Sequence, residues 1–170
     1  YGAQEGFLNE ASNTNPLSVY ASTKLKAESI LQNTNSTIFR LGTLFGIGDE
    51  LSRVRMDLVV NTLTAKAYYE KKLSVFGGEQ YRPLLHVKDA AYAIKLALGY
   101  EQTGIYDLHL ENIKIIDLAN KIKEHFDNVK IEKVEIKFQD SRNYKVEGKK
   151  VREIFNFKPN YSIDDGIIEV

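Results

Sequence analysis

The run TIFRL at residues 37–41 is almost wholly apolar or β-branched, and it lies between the polar stretch NTNS and Gly42. A short bounded run of this kind predicts a buried strand. The stretch before it is helical, from Pro16 to about Gln32, with Asn15 as candidate cap and Pro16 at the helix start. Residues 1–15 are polar and turn-rich and read as a loop, and so does the Gly-punctuated GTLFGIGDE. From about Arg55 to Lys71 the pattern is helical again, with Met56, Val59, Val60 and Leu63 on one side. KLSVFGGEQYRPLLHV predicts two extended pieces around a Gly-Gly turn. Asp89 is then the expected N-cap of the helix AAYAIKLALGY, stopped at Gly99. GIYDLHL reads as a strand. Ile115, Leu118, Ala119, Ile122 and Phe126 recur at helical spacing. NVKIEKVEIKF alternates as a strand with a solvated face, and short helices are expected near 149–155 and 162–170. Strands alternating with helices predict an α/β fold with a mostly parallel sheet.

Composition narrows the function classes. The 170 residues suffice for one domain with a real core, and the formal net charge is zero with no Lys/Arg block, so no nucleic-acid partner is indicated. The absence of Cys excludes disulfides, thiolate metal sites and a Cys nucleophile. His86, His109 and His125 lack metal-ligand spacing, so no metal is expected. No apolar run approaches the ~18 residues of a membrane span and no signal peptide is visible, which makes the cytoplasm the default. The only Met is Met56 and the chain opens on Tyr1-Gly2, so it reads as a fragment.

Among the ten tyrosines, two stand four residues before a lysine: Tyr20 with Lys24, and Tyr68 with Lys72. Residues i and i+4 share a helix face. A free phenol titrates near ~10 and a nearby ammonium favours the phenolate, so such a pair can exchange a proton with a substrate hydroxyl. Spacing alone equally allows an exposed aromatic beside a solvated charge.

Context separates the two pairs. NPLSVYASTKLKAESIL resembles the active-site helix of the extended short-chain dehydrogenase/reductases, the NAD-dependent epimerase/dehydratase family, whose Pro, Tyr, Thr/Ser, Lys and Glu positions are here Pro16, Tyr20, Thr23, Lys24 and Glu28. FRLGTLFGIG is similar to that family's Arg-x-x-Asn-x-Tyr-Gly-Pro-Gly turn. LSVFGGEQYRPLLHVKDAAYAI resembles its Gly-x-Gln-x-Arg-x-x-x-His-Val-x-Asp block, and DSRNY, FNFKP and DDGIIEV resemble its closing segment. Tyr1-Gly2 is similar to the end of its Val-Tyr-Gly strand. Tyr68 and Lys72 match nothing and are expected at the surface.

The resemblance implies the C-terminal part of a Rossmann-type parallel sheet plus a smaller mixed α/β substrate-binding subdomain. Residues 1–42 would end the Rossmann-type domain and carry the active-site helix; 43–81 and 111–170 would form the substrate subdomain; 82–110 would return to the sheet. The family's Gly-x-x-Gly-x-x-Gly turn, which faces the cofactor pyrophosphate, has no counterpart here, so the fragment alone is expected to be inactive. The implied cofactor is NAD or NADP and the implied substrate a nucleoside-diphosphate sugar, handled by an epimerase or dehydratase that works as a homodimer. The rival is a non-catalytic relative that binds nucleotide or a protein partner.

Residue by residue, the resemblance makes Tyr20 the acid/base and Lys24 its partner and cofactor-ribose ligand. Leu41 and Gly42 fall where the family backbone passes the nicotinamide; a plain strand end is an equal reading. Thr43 stands where the family usually has a substrate-reaching Asn. Arg82 matches the arginine that grips the diphosphate, for which a planar guanidinium suits two phosphate oxygens; its rival is a surface pair with Glu79. Phe76 would pack near the nucleotide base, with a core aromatic as rival; Asn61 lies on the helix that would line the nucleotide pocket; Asp140 would lie near its ribose, with helix or turn capping as rival. His86, Asp89 and Arg40 read as structural: strand-end packing, a cap, and a buried or paired arginine.

Overall fold

The computed structural model describes residues 1–134 and 142–170. In chain order the elements are β1 Ala3–Leu8, α1 Val19–Leu31, β2 Thr37–Leu41, β3 Thr43–Phe45, α2 Val59–Glu70, β4 Lys72–Phe76, β5 Tyr81–His86 and α3 Val87–Ala97. They continue with β6 Gly104–Leu108, β7 Glu111–Lys114, α4 Ile115–Lys123, β8 Lys130–Val134, β9 Asn143–Val146, α5 Lys149–Phe155 and α6 Ile163–Glu169. Among the described residues, β1 pairs with β9, β2 with β6, β3 with β5 and β4 with β8, all parallel, while β5 and β7 are antiparallel. Parallel pairs need long crossovers, and helices supply them. No described helix is long and apolar enough to cross a membrane.

Strand β5 shows how a two-residue period builds this fold. Leu84 and Leu85 are both fully buried but point to opposite faces, and each feeds a different core. On one side Leu84 joins Phe45, Val60, Leu73, Leu118 and Ile122. On the other, Leu85 joins Tyr106, Leu108, Val151, Phe155 and Phe157. Helix α4 buries Ile115, Leu118, Ala119 and Ile122, the stripe its sequence predicts.

Several sequence expectations need correction. The helix start is capped by Ser18, whose Oγ accepts from Ala21 N at 3.1 Å, and not by Asn15. Residues 3–8 form β1 because β9 supplies a partner from far along the chain (Ala3 opposite Asn143). Residues 43–45 form β3 for the same reason, beside β5. TIFRL is a strand, but it pairs only with β6 among the described residues, and none of its residues is buried. Asp89 does not cap α3. That place belongs to His86, whose Nδ1 accepts from Lys88 N, while Asp89 lies buried in the first turn and accepts from Asn160 N, Asn160 Nδ2 and Tyr161 N.

His86 also joins a clasp at Glu169. Because Nδ1 is an acceptor, Nε2 carries the hydrogen and donates to Glu169 Oε2 at 3.0 Å. The same oxygen accepts from Ile47 N at 3.1 Å, and Lys88 Nζ reaches Oε1 at 2.5 Å. Burial alone would raise the Glu169 carboxyl; these three donors outweigh it and hold the group below its ordinary range. Gly46 sits at φ 83°, and a Cβ there would collide with the His86 ring, so the turn beside the clasp requires glycine.

Candidate active site

Helix α1 has no buried residue of its own. What ties it down is polar. Arg40, on β2, donates from Nε to Glu28 Oε2 at 2.8 Å and from Nη2 to Oε1 at 2.6 Å. Glu28 is one turn beyond Lys24, so this fork orients the face carrying Tyr20 and Lys24. The Glu28 bonds are the main reason the Arg40 guanidinium is held even above its ordinary range.

Between α1 and β2 is a cleft of about 510 Å³, whose walls include Tyr20, Lys24, Leu41, Gly42, Pro83 and Asp107. Lys24 Nζ sits 5.6 Å from the centre of the Tyr20 ring, and Tyr20 is 71% exposed. Gly42 is where the backbones crowd: its N–H donates to Leu108 O at 2.8 Å, and a Cβ would lie 3.0 Å from Pro83 O.

The rear wall is a network that sequence reading did not find. Arg40 Nη1 donates to Tyr1 Oη at 2.7 Å, and that phenol oxygen is 2.7 Å from Asp107 Oδ2 and 2.8 Å from Asn9 O. Asp107 is buried in β6, and its Oδ1 has no partner among the described residues. Burial, with the nearby Glu10 carboxylate adding to it, pushes Asp107 up to about 6 against the pull of Tyr1 and Arg40. The available signal was a lone acid inside the apolar run IYDL.

The structure thus gathers Tyr20, Lys24, Leu41 and Gly42 around one cleft, and Thr43, Asn61, Phe76 and Arg82 are not among its lining residues. Thr43 is half-buried in β3 opposite Leu84. Asn61 is fully buried and braces a loop: its Oδ1 accepts from Gly46 N at 3.0 Å, and its Nδ2 donates to Gly46 O and Arg55 O. Phe76 is half-exposed at the end of β4. Arg82 is buried and donates to the carbonyls of Tyr81 and Arg142, while Glu79 pairs with Lys114 and Lys133. Asp140 lies outside the described residues. Tyr68 is exposed and Lys72 pairs with Glu132, as a surface position allows.

A model of the NAD dependent epimerase/dehydratase family matches residues 1–108. The chain belongs to this family. An uncharacterised UDP-glucose epimerase of Bacillus subtilis, YtcB, is 23% identical over 98% of this chain and 55% of its own length. The UDP-glucuronic acid 4-epimerase of Bacillus cereus, solved with UDP-glucuronic acid and NAD, superposes with a TM-score of 0.82 at 22% identity, covering 99% of this chain and 56% of that one. The ADP-L-glycero-D-manno-heptose-6-epimerase of Helicobacter pylori gives 0.81 at 21% identity, over 99% and 55%. At these identities the likeness establishes the α/β fold. The chain spans about half the length of the family proteins it matches.

Proposed function

We propose that this chain is the C-terminal half of an NAD(P)-dependent enzyme that epimerises or dehydrates a nucleoside-diphosphate sugar. The observation that carries the reading is the convergence of Tyr20, Lys24 and the Leu41–Gly42 backbone on one cleft, on a helix oriented by the Glu28–Arg40 fork. A phenol and an ammonium suit ribose hydroxyls and a sugar hydroxyl, so the residues present fit the nicotinamide end of the cofactor. When bound, that cofactor supplies hydride acceptance at the sugar carbon. Tyr20 takes the proton of the sugar hydroxyl as its carbon is oxidised, and returns one when it is reduced. Lys24 favours the phenolate by its charge and holds a cofactor ribose.

Arg82, with Phe76, Asn61, Thr43 and Asp140, belongs in this reading to the substrate side, where a guanidinium can fork two phosphate oxygens. Asn61 acts there by shaping the loop it braces at Gly46 and Arg55. The intact protein is read as a cytoplasmic homodimer.

Tyr20→Phe in the intact enzyme keeps the ring and removes the proton. We expect kcat to fall by roughly 10²-fold or more with little change in substrate affinity. Turnover at the wild-type rate would refute the assignment.

A further inference from the structure

The hydrogens around Tyr1 can be counted. Its phenol has one O–H, yet the oxygen makes three short contacts: Arg40 Nη1 at 2.7 Å, Asp107 Oδ2 at 2.7 Å and Asn9 O at 2.8 Å. Arg40 can only donate. The phenol's hydrogen serves either Asn9 O or Asp107 Oδ2. If Asp107 is ionised, it takes that hydrogen, and two bare oxygens then face each other at the Asn9 contact. If Asp107 carries a proton, it donates to the phenol, the phenol donates to Asn9, and every short contact has a hydrogen. The second oxygen points the same way. Oδ1 is buried without a partner among the described residues, which a neutral acid tolerates far better than a carboxylate.

We propose that Asp107 is the proton-bearing member of a latch: protonated, it completes the chain Asp107–Tyr1–Asn9 that fastens residues 1–9 to β2 and β6; ionised, it captures the Tyr1 hydrogen and frees the Asn9 carbonyl. Through Arg40 the phenol is joined to Glu28 on α1, so the cleft beside Tyr20 and Lys24 changes charge by one at the same step. The latch does not rest on the reaction proposed above.

The groups facing Asp107 come from four segments. They are the phenol of Tyr1, Glu10 in the β1–α1 connection, Arg40 on β2, and Glu28 behind Arg40 on α1. Glu10 Oε1 accepts from Asp107 N at 2.8 Å, which brings a second acid against the first. The Tyr1 ring also lies 5.9 Å from that of Tyr144 on β9.

A stability profile would not isolate this group. Asp107, raised from 3.8 to about 6, contributes stability present below 3.8 and lost as pH rises through about 6. His109, two residues on, is lowered from 6.5 to about 4, chiefly by burial, with Arg152 adding to it. Its contribution is present above 6.5 and lost as pH falls toward 4, the opposite sign over much the same window.

The decisive measurement is an NMR titration of the ¹³C-labelled Asp107 carboxyl in the protein, assigned with Asp107→Asn. We expect a midpoint near 6 in wild type. Tyr1→Phe should raise it further, because the anion loses the phenol as a donor, and Glu10→Gln should lower it. A wild-type midpoint at or below 3.8 would overturn the latch, since the phenol would then donate to a carboxylate throughout. An unchanged midpoint in a folded Tyr1→Phe protein would also overturn it. Should that variant fail to fold, the wild-type midpoint and the Glu10→Gln shift still decide.

Discussion

Helix α1 and helix α4 differ in what holds them. Helix α4 buries four side chains in a core shared with α2, β4 and α6, so packing density fixes its position. Helix α1 buries none, and Val19, Tyr20, Ile30 and Leu31 are all exposed. Its attachment is a charged fork on a half-open surface, with geometry in place of buried area. Among the described residues the cleft therefore sits on the weakly packed side. Tyr20, set there, stays open to solvent, and the aim of the helix face it shares with Lys24 depends on two charged residues.

The contrast can be tested by truncation on each side. Leu118→Ala empties a fully buried site and should cost about 2–5 kcal/mol of unfolding free energy, measured by urea titration. Glu28→Gln keeps the shape of the side chain but removes its charge and sets an NH2, which only donates, against one of the Arg40 N–H groups. About 1–3 kcal/mol is expected, with amide exchange accelerating first in α1. An effect below that of an α1 aliphatic truncation would show that the fork is not the anchor. Ile30→Ala removes a large side chain that is 66% exposed, and should stay within about 0.5 kcal/mol. A loss comparable to that of Leu118 would mean that α1 is packed after all.

The same contrast explains what could be read from the sequence. Local signals set β2, α5 and the α4 stripe, where apolar spacing and the flanking polar residues agree with the structure. β3, β7 and β9 escaped because they are short, and β1 because AQEGFL carries no strand pattern; each is a strand only by virtue of a partner: β1 and β9 need each other, β3 needs β5, and β7 needs β5. The caps at Asn15 and Asp89 went wrong by three residues because a nearby Ser or His reached the free N–H groups first. In the site, helix periodicity made Tyr20 and Lys24 legible as neighbours, while Leu41 and Gly42 were joined to them only by what the family resemblance implies. The Tyr1–Asp107 contact was not, because it joins positions 106 residues apart and no local pattern encodes it.

The clasp at Glu169 has a kinetic consequence. It joins α6 to Ile47 across 122 residues of chain. The entropy of closing so long a loop grows only logarithmically with its length, yet the contact yields nothing until β5 and α6 already lie side by side. A fold that depends on contacts of such separation is expected to form slowly, because the closure comes before the bond that rewards it. Whatever part of the clasp is unmade at the folding barrier lengthens the lifetime of the folded chain without hastening its formation.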